Sequence, residues 1–342
     1  GKVPGDTAAA VSAVGMTNQP MFLGLSLIQA LNVGGTAIIA RYFGAKKYNR
    51  MGSILKHVMI LAMVFCVMPA AILMLIFAPE ILSLMGADET VINVGLNYFR
   101  IVTIGFIFQS LSFTVTAALR GIGETKIPMK NNIIANSCNV LGNAILIYGM
   151  FGFPALGVTG AAISTALSNL IAMVLNVRYI LSGKSVLKLD FKEKFEFSFD
   201  VMRDLVRIGI PTALEQLALR FGIIMFLKIV SGLGNNVYAA HQIALNVLSL
   251  SYSPAQAFGI TASSLMGRSL GAKDEKLAER YTKMCQRIGL TLAIMMSVSI
   301  YFGASLLAGL YTDNGEIIQN TVIALSIVAF VQPFQSHQLI TS

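Results

Sequence analysis

Hydrophobic and polar positions in this chain fall in blocks: long apolar runs separated by short polar or charged stretches. The runs lie at roughly 8–40, 53–77, 90–119, 128–151, 155–181, 206–232, 236–267, 288–311 and 316–340. Each meets or exceeds the roughly 20 residues that a helix needs to cross the hydrocarbon of a bilayer. In lipid, unpaired backbone groups leave only helices or closed barrels as spanning structures. The runs lack the apolar/polar alternation of barrel strands, so the pattern predicts nine membrane-spanning helices. The longest exceed a minimal span and must tilt, bend or project into water, with Pro20 and Pro254 as the positions for a bend.

The block pattern also repeats. The string from Arg41 to Lys46 (Arg-Tyr-Phe-Gly-Ala-Lys) returns as Arg268 to Lys273 (Arg-Ser-Leu-Gly-Ala-Lys), 227 residues later. The same shift aligns Ala13 with Ala240, Lys56 with Lys283, Glu89 with Glu316 and Asn93 with Asn320. Self-similarity over such a distance is the trace of two structural halves. Some helices have their expected partners outside the sequence. The expectation is twelve helices as six plus six, with the first and the last two lying beyond the stretch in hand. Six is even, so the two copies share one orientation about an axis along the membrane normal. This gives an N-terminal lobe at 1–181, a charged cytoplasmic linker at 182–205 and a C-terminal lobe at 206–342. Phe195, Phe197 and Phe199 are expected along the cytoplasmic interface.

Composition agrees. With 55% hydrophobic residues, 12% charged residues and a mean hydropathy of +0.72, the chain has more apolar surface than one soluble core can bury. The fold class is therefore an all-α integral membrane bundle. The net charge of +9 does not indicate nucleic acid, which would require basic residues on a soluble face with aromatics between them. Apart from Lys2, Arg100, Arg220 and Lys228, the cations are expected between apolar runs and in alternate loops: Arg41 to Lys56, Arg120 to Lys130, Lys184 to Arg207, and Arg268 to Arg287. The other loops carry Glu80, Asp88, Glu89, Asp313 and Glu316. Lys and Arg are retained on the cytoplasmic side, so the expected location is multi-pass in the inner (plasma) membrane, as a monomer. Cys66, Cys138 and Cys285 have no paired spacing and indicate neither disulfide nor zinc. Gly1 follows no basic n-region, so no signal peptide is expected.

One carboxylate stands apart. Of the sixteen, only Glu215 lies well inside an apolar run. Intramembrane carboxylates are costly, by about 2.5 to 3.5 kcal/mol on insertion scales for central Asp, Lys or Arg, so this group should face a cavity, take up a proton or hold a cation. The competing account is a structural ion pair with Arg220. Residues five apart lie about 140° around a helix, which places that pair poorly. Two polar stripes form the second signal: Asn132, Asn136, Asn139 and Asn143, and then Gln242, Asn246, Ser249 and Ser253. Each stripe keeps to one helical face. Asn139, Asn143, Gln242 and Asn246 are the cavity-lining candidates, and interhelical hydrogen bonding is the equal alternative. Gly157, Ala161, Ser164 and Ser168 read as a packing face. His57, at a helix end, is assigned no role.

Several strings together resemble the multidrug and toxic compound extrusion (MATE) family of secondary transporters. They are Ala118-Leu119-Arg120-Gly121-Ile122-Gly123-Glu124-Thr125-Lys126-Ile127-Pro128, Phe153-Pro154-Ala155-Leu156-Gly157-Val158-Thr159-Gly160-Ala161-Ala162, Gly209-Ile210-Pro211 with Glu215, and Ala239-Ala240-His241-Gln242-Ile243, joined by the duplicated Arg-x-x-Gly-Ala-Lys. The resemblance implies a chain carrying helices two to ten of that family. It also implies an antiporter that expels organic, cationic compounds in exchange for Na⁺ or H⁺ by alternating access. In some members an Asn and an Asp four apart hold the coupling ion in the first lobe; Asn139 and Asn143 occupy those positions, with Asn143 in place of the carboxylate. No cofactor is implied beyond the coupling ion, and no metal site beyond Na⁺ at Glu215. The alternative within transporters is a flippase for lipid-linked precursors or polysaccharides, which would favour several cavity cations where one, Arg220, is present. A channel lacks a visible filter segment. An enzyme lacks His-Glu-x-x-His, paired carboxylates and a complete phosphate loop.

Overall fold

A computed structural model describes residues 7–152, 154–189 and 197–341. Every apolar run is helical, and no strand occurs among the described residues. The helices are α1 (Thr7–Gly44), α2 (Tyr48–Ile60), α3 (Met68–Ile76), α4 (Ala78–Leu84), α5 (Glu89–Gly121), α6 (Lys126–Tyr148), α7 (Gly157–Leu181), α8 (Phe199–Ser231), α9 (Asn235–Gly271), α10 (Glu275–Gly309) and α11 (Gly315–Thr341). Among the described residues, six helical stretches are long and apolar enough to span a membrane: Ala13–Gly44, Tyr48–Ile76, Glu89–Gly121, Gly157–Leu181, Glu275–Gly309 and Gly315–Thr341. α6, α8 and α9 are not among them: amide and serine stripes lower the average of α6 and α9, and Glu215, Arg220 and Lys228 put charge into the apolar part of α8.

The second span is not a uniform helix. Leu61–Val67 is a π-helical segment joining α2 to α3, and the Met68 N–H reaches back to the Met63 carbonyl. Pro69 follows at the start of α3 and has no N–H to donate. A wider turn next to a proline is a common way for a helix to absorb the lost bond.

The chain divides into two compact units, Gly1–Leu217 and Ala218–Ser342. In the first, α1 packs along α5 through small residues: a Cβ on Gly95 would stand 2.6 Å from the Ala13 side chain, and one on Gly121 would stand 2.9 Å from the Thr36 carbonyl. Small residues let helix backbones approach in lipid, where no hydrophobic force drives association. One core gathers Met21, Ile28, Val67, Ala78, Leu82, Phe99 and Phe106. A second gathers Ile38, Ile39, Met51, Ile54, Leu55, Leu119 and Ile180 with Leu187, Leu189 and Leu205.

Leu187 and Leu189 belong to the stretch that links the repeats, so this part of the link is packed into the first unit. A Cβ on Gly52 would meet the Lys188 carbonyl at 2.5 Å. His57, assigned no role from sequence, is fully buried. Its Nδ1 lies 2.7 Å from the Ser53 carbonyl, and its Nε2 accepts from the Ser198 N–H at 2.8 Å. A backbone N–H can only donate, so Nε2 is the accepting nitrogen and Nδ1 faces the Ser53 carbonyl as the donor. Phe197 stacks beside it with ring centroids 5.6 Å apart.

In the second unit α9, α10 and α11 pack around Ala244, Val247, Ile300, Ala304, Leu325 and Ala329. Pro333 lies inside α11 and frees the carbonyl of Ala329, four residues earlier. The Ser297 hydroxyl of α10 donates to that oxygen. Gln332 beside it donates to the Ser251 carbonyl of α9 at 3.1 Å.

The repeated string ends α1 and α9 in the same way. Lys46 and Lys273 have φ of 57° and 61°, the only positive values at non-glycine residues among those described. Lys46 and Lys47 N–H groups donate to the Phe43 and Tyr42 carbonyls, and Lys273 and Asp274 N–H groups to those of Leu270 and Ser269, each at 3.0 Å. Both are helix ends closed by a left-handed residue, a position usually held by glycine.

Candidate functional site

α6 and α7 form a tight antiparallel pair whose contact is set by small and amide side chains. Gly149, at φ 72°, ends α6, and a Cβ on Gly160 would stand 2.4 Å from the Leu146 carbonyl. Mid-way along the pair, Asn139 Nδ2 lies 3.4 to 3.5 Å from the hydroxyls of Ser164, Thr165 and Ser168. Ser164 returns a bond to the Asn139 carbonyl at 2.9 Å. Asn143 donates to Asn139 Oδ1 at 3.1 Å, and its own Oδ1 is enclosed without a partner. The pair thus presents one committed and one open amide oxygen, both ligands suited to a cation, with no carboxylate beside them in these contacts.

The rest of the first stripe does not follow. Asn132 is half-buried and Asn136 exposed. The face turned to α7 instead runs through Asn131, Ala135, Asn139 and Gly142. Asn131 Nδ2 donates to Asn176 Oδ1 at 2.8 Å, and the fully buried Asn176 donates to Ser112 at 2.9 Å and Thr116 at 3.3 Å on α5. This three-helix network was missed from sequence. The readable signal was Ser112 and Thr116 four apart, with a lone amide in the last turns of α7.

Glu215 stands near the middle of α8, roughly 24 Å of helix from either end at 1.5 Å per residue. Every other described carboxylate within a helix lies in its first two turns. Glu215 is exposed, so packing within its unit leaves its head group uncovered. The first turns of α8 do pack: a Cβ on Gly209 would stand 2.9 Å from Leu31, and one on Gly34 would stand 3.4 Å from Ile208.

In the second unit, Arg220 and Asn246 are exposed and Gln242 is half-buried, donating to the Tyr238 hydroxyl at 2.9 Å. Ser249 and Ser253 bond carbonyls of their own helix, at 2.7 and 3.2 Å. His241 meets the Phe226 ring at 5.4 Å between centroids. Among the described residues no three His, Cys, Asp or Glu side chains converge as for a metal ion.

This arrangement, a duplicated helical bundle with polar side chains at mid-helix, was compared with known proteins. The MatE family model matches residues 4–145 and again residues 211–342. The chain belongs to the MATE family. The double match is the duplication seen in the repeated string. This MATE chain is 28% identical to the probable multidrug resistance protein YoeA of Bacillus subtilis, covering 90% of this chain and 67% of that one. It is 27% identical to the probable multidrug resistance protein NorM of Thermotoga maritima, over 95% of this chain and 69% of that one. Among solved structures, an outward-facing multidrug resistance MATE family transporter of the MOP superfamily superposes with a TM-score of 0.84 at 22% identity. That match covers 97% of this chain and 75% of the other. The MATE chain is therefore a multi-pass membrane transporter and not an enzyme.

Proposed function

We propose that this MATE protein is a secondary antiporter that exports organic cations in exchange for Na⁺ or H⁺ by alternating access, with Glu215 as the coupling carboxylate. The observation that carries the reading is the position of Glu215, half-way along α8 and beyond the first two turns that hold every other described helical carboxylate. A carboxylate at mid-membrane depth holds either a proton or a cation, according to which of them reaches it. Its occupancy by H⁺ or Na⁺ therefore differs between two access states, which is the requirement for exchange. Asn139, Asn143, Gln242, Asn246 and Arg220 are the polar groups assigned to the substrate path, which exports from the plasma membrane.

The test is efflux of a fluorescent organic cation from liposomes holding the full-length protein, first under a Na⁺ gradient and then under a pH gradient. Glu215→Gln keeps shape and hydrogen bonding while removing titration, and is expected to insert and fold yet lose gradient-driven efflux. Arg220→Gln separates the ion-pair account: a structural pair makes both single variants unstable and the double variant recover. Normal gradient-driven transport by Glu215→Gln would sink the coupling role.

A further inference from the structure

The two copies of the Arg-x-x-Gly-Ala-Lys turn share a backbone and differ in charge. Both place a lysine at positive φ, and both close with the same pair of backbone bonds. The residues after each lysine diverge: Lys47 stands where Asp274 stands, Tyr48 where Glu275 stands, and Arg50 where Leu277 stands. In the second copy the Asp274 carboxylate accepts from the Leu277 N–H at 2.9 Å, and Glu275 occupies the first turn of α10. Those two acids balance Lys273 and Lys276 locally.

The first copy carries no acid of its own. Arg41, Lys46, Lys47 and Arg50 are all exposed, and no acidic residue occurs in the sequence between Arg41 and Lys56. Lys46, Lys47, Tyr48, Asn49 and Arg50 line an open cavity of about 330 Å³. Its depth in the membrane is set by its neighbours, because the spans Ala13–Gly44 and Tyr48–Ile76 both end there. Tyr48 is 42% exposed and its ring packs 5.6 Å from that of Phe43, the placement of an aromatic at the headgroup level. Three cations lining a cavity at the cytoplasmic end of two spans, Lys46, Lys47 and Arg50, suit the anionic lipids of that leaflet.

We propose that this turn of the first lobe binds the phosphodiester of an anionic phospholipid in the cytoplasmic leaflet, and that its counterpart in the second lobe does not. Lys46, Lys47 and Arg50 hold the phosphate, and Tyr48 sits beside the glycerol.

The chain supplies its own control. Lys47→Asp with Tyr48→Glu places the second turn's residues on the first turn's backbone, where they give α2 the acidic cap that α10 already has. The full-length protein would be placed in nanodiscs of phosphatidylcholine with a small fraction of phosphatidylglycerol, and retained lipids counted by native mass spectrometry. The expected result is preferential retention of phosphatidylglycerol by the parent, reduced at least tenfold in the double variant, with an unchanged melting temperature. Removing about three unit charges is worth on the order of a hundredfold when each contributes fully at the surface. The reciprocal variant, Asp274→Lys with Glu275→Tyr, should retain one further phosphatidylglycerol. Unchanged retention in the first variant, or no gain in the second if the first does not fold, would overturn the proposal. Equal protection of the parent by soluble glycerol phosphate would also overturn it, assigning the cavity to a free anion.

Discussion

Replacing Asn176 with leucine tests whether the buried amide network holds α5, α6 and α7 together. Asn176 uses its whole carboxamide, accepting from Asn131 and donating to Ser112 and Thr116. Leucine keeps the branched four-atom shape and leaves no cavity, so the loss is chiefly polar, with some overpacking by its bulkier methyl groups added. Interhelical hydrogen bonds in membranes average about 0.6 kcal/mol, so three contribute about 2 kcal/mol. Ser112 and Thr116 can turn back onto carbonyls of their own helix, as Thr103, Ser110 and Thr114 already do. Asn131, 8% exposed, has no such escape. Its orphaned donor adds about 1 kcal/mol or more, giving a total near 3 kcal/mol. Equilibrium unfolding of the full-length protein in mixed micelles, followed by helicity, measures this. Asn131→Leu added to Asn176→Leu should cost less than the sum of the single changes by about 1 kcal/mol, since it removes the stranded donor. A single-variant loss under about 0.5 kcal/mol, or strict additivity, would refute the network as a source of stability.

Two further outcomes rest on the packing. His57→Leu strands the Ser198 N–H and removes the ring beside Phe197, so the linking segment should become cleavable by added protease with a stability loss of about 2 kcal/mol; unchanged resistance to proteolysis would contradict the clasp. Ser297→Ala uncovers the Ala329 carbonyl freed by Pro333 and should cost about 1 kcal/mol in the same micelle titration, but almost nothing alongside Pro333→Ala, which restores the helical N–H; an equal cost in both backgrounds would show that Ser297 matters for another reason.

The sequence made the helices legible because lipid permits so few alternatives: each apolar run became helical, and the repeated string became the same turn twice. The polar interior was harder to read. Asn132 and Asn136 share a stripe with Asn139 and Asn143, yet only Asn139 meets α7 hydroxyls through its side chain, with Asn143 bonded to it. Asn131, one position outside the stripe, is the buried one. A stripe fixes which residues share a face, not which neighbour that face meets, and an error of one residue is about 100° of rotation. His57 was overlooked for a related reason. Its partner, Ser198, lies 141 residues away on a segment whose charge suggested solvent. Glu215 was visible because a carboxylate inside an apolar run is anomalous wherever the helix sits.

The two left-handed lysines can also be viewed from the ribosome's side. In the finished protein glycine would be the relaxed choice at Lys46 and Lys273, by roughly 1 kcal/mol. Before any helix has packed, however, each of these turns is a nascent loop whose positive charge decides on which side of the membrane it stays. A glycine would ease the folded backbone while weakening the signal that orients the helices on either side. The strain in the folded turns is thus the residue of a decision made during synthesis, when these side chains had no tertiary partners at all.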